Sequence, residues 1–242
     1  MSFFQINKID AIDSTNEALK RKHRRGKLNN GEGLWAGVQT KGKGQHKSNW
    51  IAEANKNLTF SFFLDHHQLQ IAHPFQLNCL VALAMKKALA DLEIPTISIK
   101  WPNDILSDNK KIAGILIENL YRGSQLKGSI VGIGLNVNQE NYSAFPQASS
   151  MRLCASRTFK LDTVLAIVLE SIENNLTSKA SYKNNLELYN ACLFRRSEAC
   201  LFQTETEQFK ATIIGVNADG LLTLDVNGKL SSYSLKSIKM VY

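Results

Sequence analysis

Apolar periodicity changes character once along this chain, near Cys192, and that change constrains the fold more than any single motif. Upstream, helical and extended patterns are mixed. Residues 57–64 alternate Leu58, Phe60, Phe62 and Leu64 with Thr59, Ser61 and Phe63, which predicts a strand. Residues 75–92 and 161–177 carry apolar side chains at helical spacing, and a third helix is predicted over 182–193. Further strands are predicted over 4–12, 34–39, 97–101, 112–120 and 129–137. Downstream only short strands remain, over 199–203, 208–216, 221–226 and 230–234, separated by turn signals such as Ala218-Asp219-Gly220 and Asn227-Gly228. The pattern predicts an α+β fold: a mixed-sheet domain with flanking helices over residues 1–190, then a small β-barrel over 191–242.

The longest apolar run, residues 80–85, is far short of the ~20 residues that span a bilayer. No basic stretch precedes an apolar one in residues 1–10, so a secretory signal is not expected. The four cysteines form no CxxC pair and no His/Cys cluster, so no metal site is expected from side chains and the thiols suit a reducing compartment. The net charge of +8 is local. Residues 20–47 hold nine Lys/Arg and one acid, Glu32, and the rest of the chain is balanced. A patch this confined suits a small phosphorylated ligand at least as well as a nucleic acid.

Ser14-Thr15-Asn16-Glu17 has the form of a capping box, and Gly26 closes the helix it predicts after a basic last turn. Residues 37–44 read G-V-Q-T-K-G-K-G, one residue from a P-loop. Gly44 stands where the Mg²⁺-binding hydroxyl should be, and a strand rather than a helix follows. The glycines flanking Lys43 still permit close backbone approach to an anion. In Lys100-Trp101-Pro102-Asn103-Asp104, Pro102 is expected to hold Trp101 extended, leaving Asn103 and Asp104 at a strand end. Lys111 follows a turn at 108–110. On spacing alone this is equally an ordinary strand, turn and return strand with an exposed lysine. Gly132 and Gly134, inside a predicted strand, mark close approach of a ligand or backbone.

Together these pieces resemble the biotin protein ligases. The resemblance is carried by Asp13-Ser14-Thr15-Asn16, Gln39, the G-K-G loop closed by Trp50, the K-W-P-N-D run at 100–104, K-I-A-G-I-L-I-E at 111–118 and G-I-G-L-N-V-N at 132–138. It covers residues 9 to about 140 in order and spacing. It implies a biotin/lipoate ligase-like catalytic domain followed by an SH3-like β-barrel. It also implies an ATP-dependent, cytoplasmic enzyme that activates biotin as biotinyl-5′-AMP and transfers it to a lysine of a biotin carboxyl carrier protein. Lys111, Asp104 and Lys43 are the catalytic residues so implied. Ser14, Thr15, Asn16, Gln39, Gly42, Lys43, Gly44, Gln45, Lys111, Gly132 and Gly134 would bind biotin. Trp50, Asn103, Lys111 and Asn136 would bind ATP and the adenylate, with Mg²⁺ arriving on the nucleotide near Asp104.

The loop departs from the family's usual G-R-G-R-R-G-R-x-W. Gln45 and His46 stand where that pattern has arginines and Lys47 where it has glycine, so less fixed charge faces the adenylate phosphate. The winged helix-turn-helix of repressor-type members has no counterpart in this sequence, so sequence-specific DNA binding is not expected. A homodimer paired through the catalytic sheet is left open. Lipoate ligases share the fold and the adenylate chemistry; the full K-W-P-N-D motif and the terminal β-domain favour biotin. A nucleic-acid-binding module is the rival from another class, but residues 191–242 are close to charge balance and no aromatic interleaves residues 40–49.

Overall fold

The structure is a computed structural model describing residues 3–45, 48–69, 71, 73–235 and 237–241. Its strands are β1 (Gln5–Ile12), β2 (Glu32–Gln39), β3 (Leu58–Asp65), β4 (Ile97–Lys100), β5 (Asp104–Ser107), β6 (Lys110–Arg122), β7 (Gln125–Leu135), β8 (Ala199–Gln203), β9 (Gln208–Val216), β10 (Leu222–Val226), β11 (Lys229–Tyr233) and β12 (Lys239–Val241). Its helices are α1 (Thr15–Arg24), α2 (His66–Leu69), α3 (Pro74–Asp91), α4 (Met151–Ala155), α5 (Leu161–Thr177) and α6 (Tyr182–Ala191).

The first seven strands form one mixed sheet in the order β1-β2-β3-β7-β6-β5-β4. β1 and β2 run parallel, joined by α1 as a crossover, and the other pairings are antiparallel. The last five form an antiparallel sheet, β11-β10-β9-β8-β12, consistent with the SH3-like unit expected. The α+β architecture read from the periodicity is therefore the observed one. Asn227 and Gly228 both take positive φ, the conformation a two-residue hairpin needs.

The alternation in β3 sorts two faces. Leu58, Phe60, Phe62 and Leu64 enter the main core with Leu77, Val81 and Met85 of α3 and Val164, Val168 and Ile172 of α5. Phe63 points the other way and packs with Leu19 of α1 and Ile130 of β7. Thr59 and Ser61 share that second face, which α1 covers only in part. The site lies there.

Two local readings change. The strand expected to reach Trp101 ends at Lys100; Trp101, Pro102 and Asn103 form a turn, and the Trp101–Pro102 peptide is cis. The capping box is only half formed: Ser14 caps α1 by accepting from the Glu17 N–H, but the Ser14 N–H donates to Asp13 instead of to Glu17. The short elements α2, α4, β5 and β12 are too brief to show a period.

Behind β3, buried His66 contacts Ser129 Oγ through Nε2 at 2.9 Å, and Ser129 gives its own proton to Asn119 Oδ1 at 2.6 Å. Nε2 is therefore the donor, and Nδ1 has no partner. Burial holds the imidazole below its ordinary value, against an opposing pull from Asp65. The unfolded chain consequently binds this proton more readily than the folded one. The stabilising difference is complete above the unfolded value of 6.5 and is lost as pH falls below it. Melting temperature is expected to drop as pH falls below about 6.5. A shift of ~2–4 °C would correspond to ~1 kcal/mol in a chain of this size. His66→Gln should flatten the drop; parallel pH profiles would show that His66 does not cause it.

Candidate active site

Of the residues given catalytic or ligand-binding roles by the resemblance, all except Gly42 and Asn136 line one cleft of about 910 Å³. His46 and Lys47 lie outside the described residues. The cleft opens over the second face of the large sheet. Its far wall comes from the C-terminal sheet through Phe202, Gln203, Glu205 and Lys239, none of which sequence reasoning identified.

One end of the floor is neutral and polar. The Thr15 N–H donates to Gln39 Oε1 at 2.8 Å, Thr15 Oγ1 lies 2.6 Å from Ser61 Oγ, and Ser61 donates to Asn16 Oδ1 at 2.5 Å. Ser14, Thr15 and Asn16 are buried because α1 begins where β1 delivers the chain onto the sheet. Asp13 anchors that start: Arg21 grips both its oxygens at 2.8 Å and, with the Ser14 N–H, holds the carboxyl well below the usual carboxylate range.

The glycines have distinct reasons. A Cβ at Gly132 would come within 2.2 Å of Asn16 Oδ1, and one at Gly134 within 2.2 Å of the Trp50 indole. The glycine face of β7 is thus already used by two side chains of the site. Gly42 is held against Trp50 O, where a Cβ would sit 2.5 Å away, so it shapes the hairpin without lining the cleft.

The loop from Gly42 to Trp50 is that hairpin. Lys43 and Asn49 bridge antiparallel, the Gly44 N–H donates to Ser48 O at 2.8 Å, and the Trp50 N–H donates to Gly42 O at 3.0 Å. Lys43 Nζ pairs with Glu17 at 2.7 Å, and that hydrogen bond is the main reason the Glu17 carboxyl titrates low.

The other end of the cleft is charged. Lys111 Nζ lies 2.6 Å from Asp104 Oδ1, and Lys100 Nζ 4.0 Å from Oδ2. Burial pushes the Lys100 ammonium below its ordinary value; Asp104 opposes that, while Lys111 and Lys239 add to it. Two ammonium groups thus flank one carboxylate, with Lys239 near enough to Lys100 to act on it. The β5–β6 hairpin brings Asp104 and Lys111 together; its register pairs Leu106 with Lys111 and Asp104 with Gly114. Asn103 serves the backbone: its Nδ2 donates to Ile115 O at 2.6 Å and its carbonyl accepts from the Ile115 N–H at 3.0 Å. Asn136 is 4% exposed, and its Nδ2 donates to Ser149 O. Trp101 Nε1 donates to Gly220 O at 2.9 Å, and Pro102 O accepts from both Asn78 and Tyr189. The K-W-P-N-D turn is therefore bolted to α3, α6 and the second sheet. Among the described residues there is no group of three His, Cys, Asp or Glu side chains that could hold a metal ion. None of their helices is long and apolar enough to cross a membrane.

Both the polar floor and the lysine-ringed carboxylate sit on residues that one family model matches. Residues 9–136 fit the biotin/lipoate A/B protein ligase family, and the chain belongs to that family. Within it, the relatives are biotin enzymes. The chain is 30% identical to the biotin–protein ligase 2 of Arabidopsis thaliana over 199 residues, 76% of this chain and 59% of that protein. It is 30% identical to the bifunctional ligase/repressor BirA of Escherichia coli over 129 residues, 53% of this chain and 39% of that protein. It thus spans well under two thirds of the length of these curated relatives. The solved biotin protein ligase of Aquifex aeolicus, in complex with biotin and ATP, superposes with a TM-score of 0.83 at 26% identity, covering 98% of both chains.

Proposed function

We propose that this chain is an ATP-dependent biotin protein ligase that forms biotinyl-5′-AMP and transfers the biotinyl group to a lysine of a biotin carboxyl carrier domain. The observation that carries the reading is one cleft with a neutral hydrogen-bonding floor at one end and Lys111, Asp104 and Lys100 at the other. Biotin has that same division, a neutral polar ureido ring at one end and a carboxylate at the other. The biotin and ATP bound in the Aquifex aeolicus enzyme support the assignment.

In the first step the biotin carboxylate attacks the α-phosphorus of ATP and pyrophosphate leaves. The step brings anions together, so preorganised cations must cancel the growing charge. Lys111 is a point charge already aimed into the cleft, held there by Asp104. Lys100 and Lys239 add charge on the same side. Mg²⁺ bound with the nucleotide would neutralise phosphate charge, and Asp104 is the carboxylate in the cleft that could help to hold it. Trp50 offers an aromatic surface for adenine. Asn136 lies outside the cleft lining, its amide tied to Ser149 O, so a part in nucleotide binding would be indirect. In the second step the carrier amine attacks the acyl carbon and AMP leaves. The amine must lose a proton first, and Asp104 orients it and accepts that proton. The four free cysteines fit a cytoplasmic setting.

Among the described residues of the hairpin, Lys43 is paired with Glu17 and Gln45 is neutral, so an added cation at Gln45 would be a new charge facing the adenylate phosphate. Gln45→Arg is expected to slow biotinyl-AMP dissociation by about tenfold, the scale of one charge-assisted hydrogen bond. Stopped-flow release of the adenylate reads it, and an unchanged rate would leave retention to backbone amides and Lys111. The reading as a whole is tested by pyrophosphate release with biotin and, separately, with lipoate. Release with biotin alone supports it, and release with lipoate alone replaces it with a lipoate ligase.

A further inference from the structure

The polar row on the cleft floor ends on a charged pair to which the proposed chemistry gives no role. Asn16 Nδ2 donates to Glu118 Oε2 at 2.8 Å, and Lys20 contacts the other oxygen, Oε1. Lys20 also pairs with Glu17 at 3.1 Å. Asn16 and Ser61 are buried, whereas the Glu118 carboxylate is a quarter exposed. The ion pair is therefore neither a solvated surface bridge nor part of the apolar core.

An amide has a donor end and an acceptor end of the same size, so shape alone does not orient it. The neighbours do. A carboxylate only accepts, so Asn16 must turn its NH₂ to Glu118 and its oxygen to Ser61. Ser61 then gives its single proton to Asn16, and the Thr15 hydroxyl, 2.6 Å from Ser61 Oγ and 3.0 Å from Gln39 Oε1, has one proton between those two acceptors. The sense of the row from Asn16 to Ser61 is set from its charged end. Lys20 supplies the counter-charge that keeps a carboxylate there tolerable.

We infer that Glu118, backed by Lys20, is a positioning residue for the biotin subsite: it fixes which way round Asn16 sits, and so which donors and acceptors the floor presents to the ureido ring. The inference rests on the biotin reading of the cleft. A ureido ring carries one carbonyl acceptor between two N–H donors in fixed order. A floor of reversed sense meets donor with donor, which selective sites penalise strongly.

An isosteric exchange isolates this role. In Glu118→Gln, Lys20 draws the new amide oxygen to itself, which turns the Gln NH₂ toward Asn16 and reverses Asn16. In Glu118→Gln combined with Asn16→Asp, the new carboxylate accepts from the Gln NH₂ and from Ser61, restoring the original sense with the same net charge. Biotin is titrated calorimetrically into wild type and both variants, with ATP KM and melting temperature measured on each. The expected result is a biotin Kd raised at least about tenfold in Glu118→Gln, the scale of one reversed buried hydrogen bond, with ATP KM within about twofold. The double variant should recover most of that loss. A single variant that binds biotin like wild type would overturn the inference, as would a double variant no better than the single. Equal loss of biotin and ATP affinity would also overturn it, since that marks a general collapse. If wild type itself binds no biotin, the functional reading fails first, and that result is distinct from the other three.

Discussion

Lys111→Ala is expected to slow biotin-dependent adenylate formation by about 10²-fold or more, the scale of removing one preorganised donor from a developing charge. The ammonium lies 2.6 Å from Asp104, at the charged end of the cleft, and its backbone is pinned through bonds to Gln147 and Ser149. Substitution therefore removes a placed charge without unfolding the hairpin that carries it. Biotin affinity should fall far less, because the proposed ureido subsite lies at the opposite end, around Thr15, Asn16 and Ser61. Single-turnover adenylation and biotin titration on the same variant separate the two effects. An adenylation rate within about threefold of wild type would remove Lys111 from the chemistry.

Asp104→Asn is expected to act mainly on the second step, slowing transfer from preformed biotinyl-AMP to a carrier domain by ~10²–10⁴-fold, the usual span for a lost general base. The substitution keeps the shape but abolishes proton acceptance. Because Asp104 also holds Lys111, adenylation should slow as well, though by much less. The signature is accumulation of enzyme-bound adenylate in the presence of carrier. If both steps slowed equally, Asp104 would be only the post that steadies Lys111.

Much of the fold was legible because its signals are local. The alternation in β3 announced a strand, which the structure buries on both faces, and Ser14 announced the start of α1. The strand boundaries at Gln208–Val216 and Ala199–Gln203 follow from turn chemistry on either side. Where the reading failed, the cause was not local. Nothing in a single residue's neighbours in sequence says that the chain turns at Trp101, or that Trp101 bonds the carbonyl of Gly220, 119 positions away.

The site shows the same division. Lys111 and Asp104 were identified because a motif holds them seven residues apart and a tight hairpin brings them together. Lys239 was missed because only packing of the second sheet brings it to the cleft. Glu118 was quoted within a motif yet given no task, since its task depends on Asn16, which is 102 positions away. Asn103 and Gly42 carry a local role that their motifs did not announce. Both sit in site motifs, and both hold backbone in place.

The most direct measurement is intact-protein mass spectrometry under native conditions after incubation with biotin and MgATP, followed by addition of a biotin carboxyl carrier domain. The account predicts a bound species with the mass of biotinyl-5′-AMP, lost when carrier is added, while the carrier gains one biotinyl group on a single lysine. A chain that binds ATP and biotin yet yields neither the adenylate nor a modified carrier would contradict it.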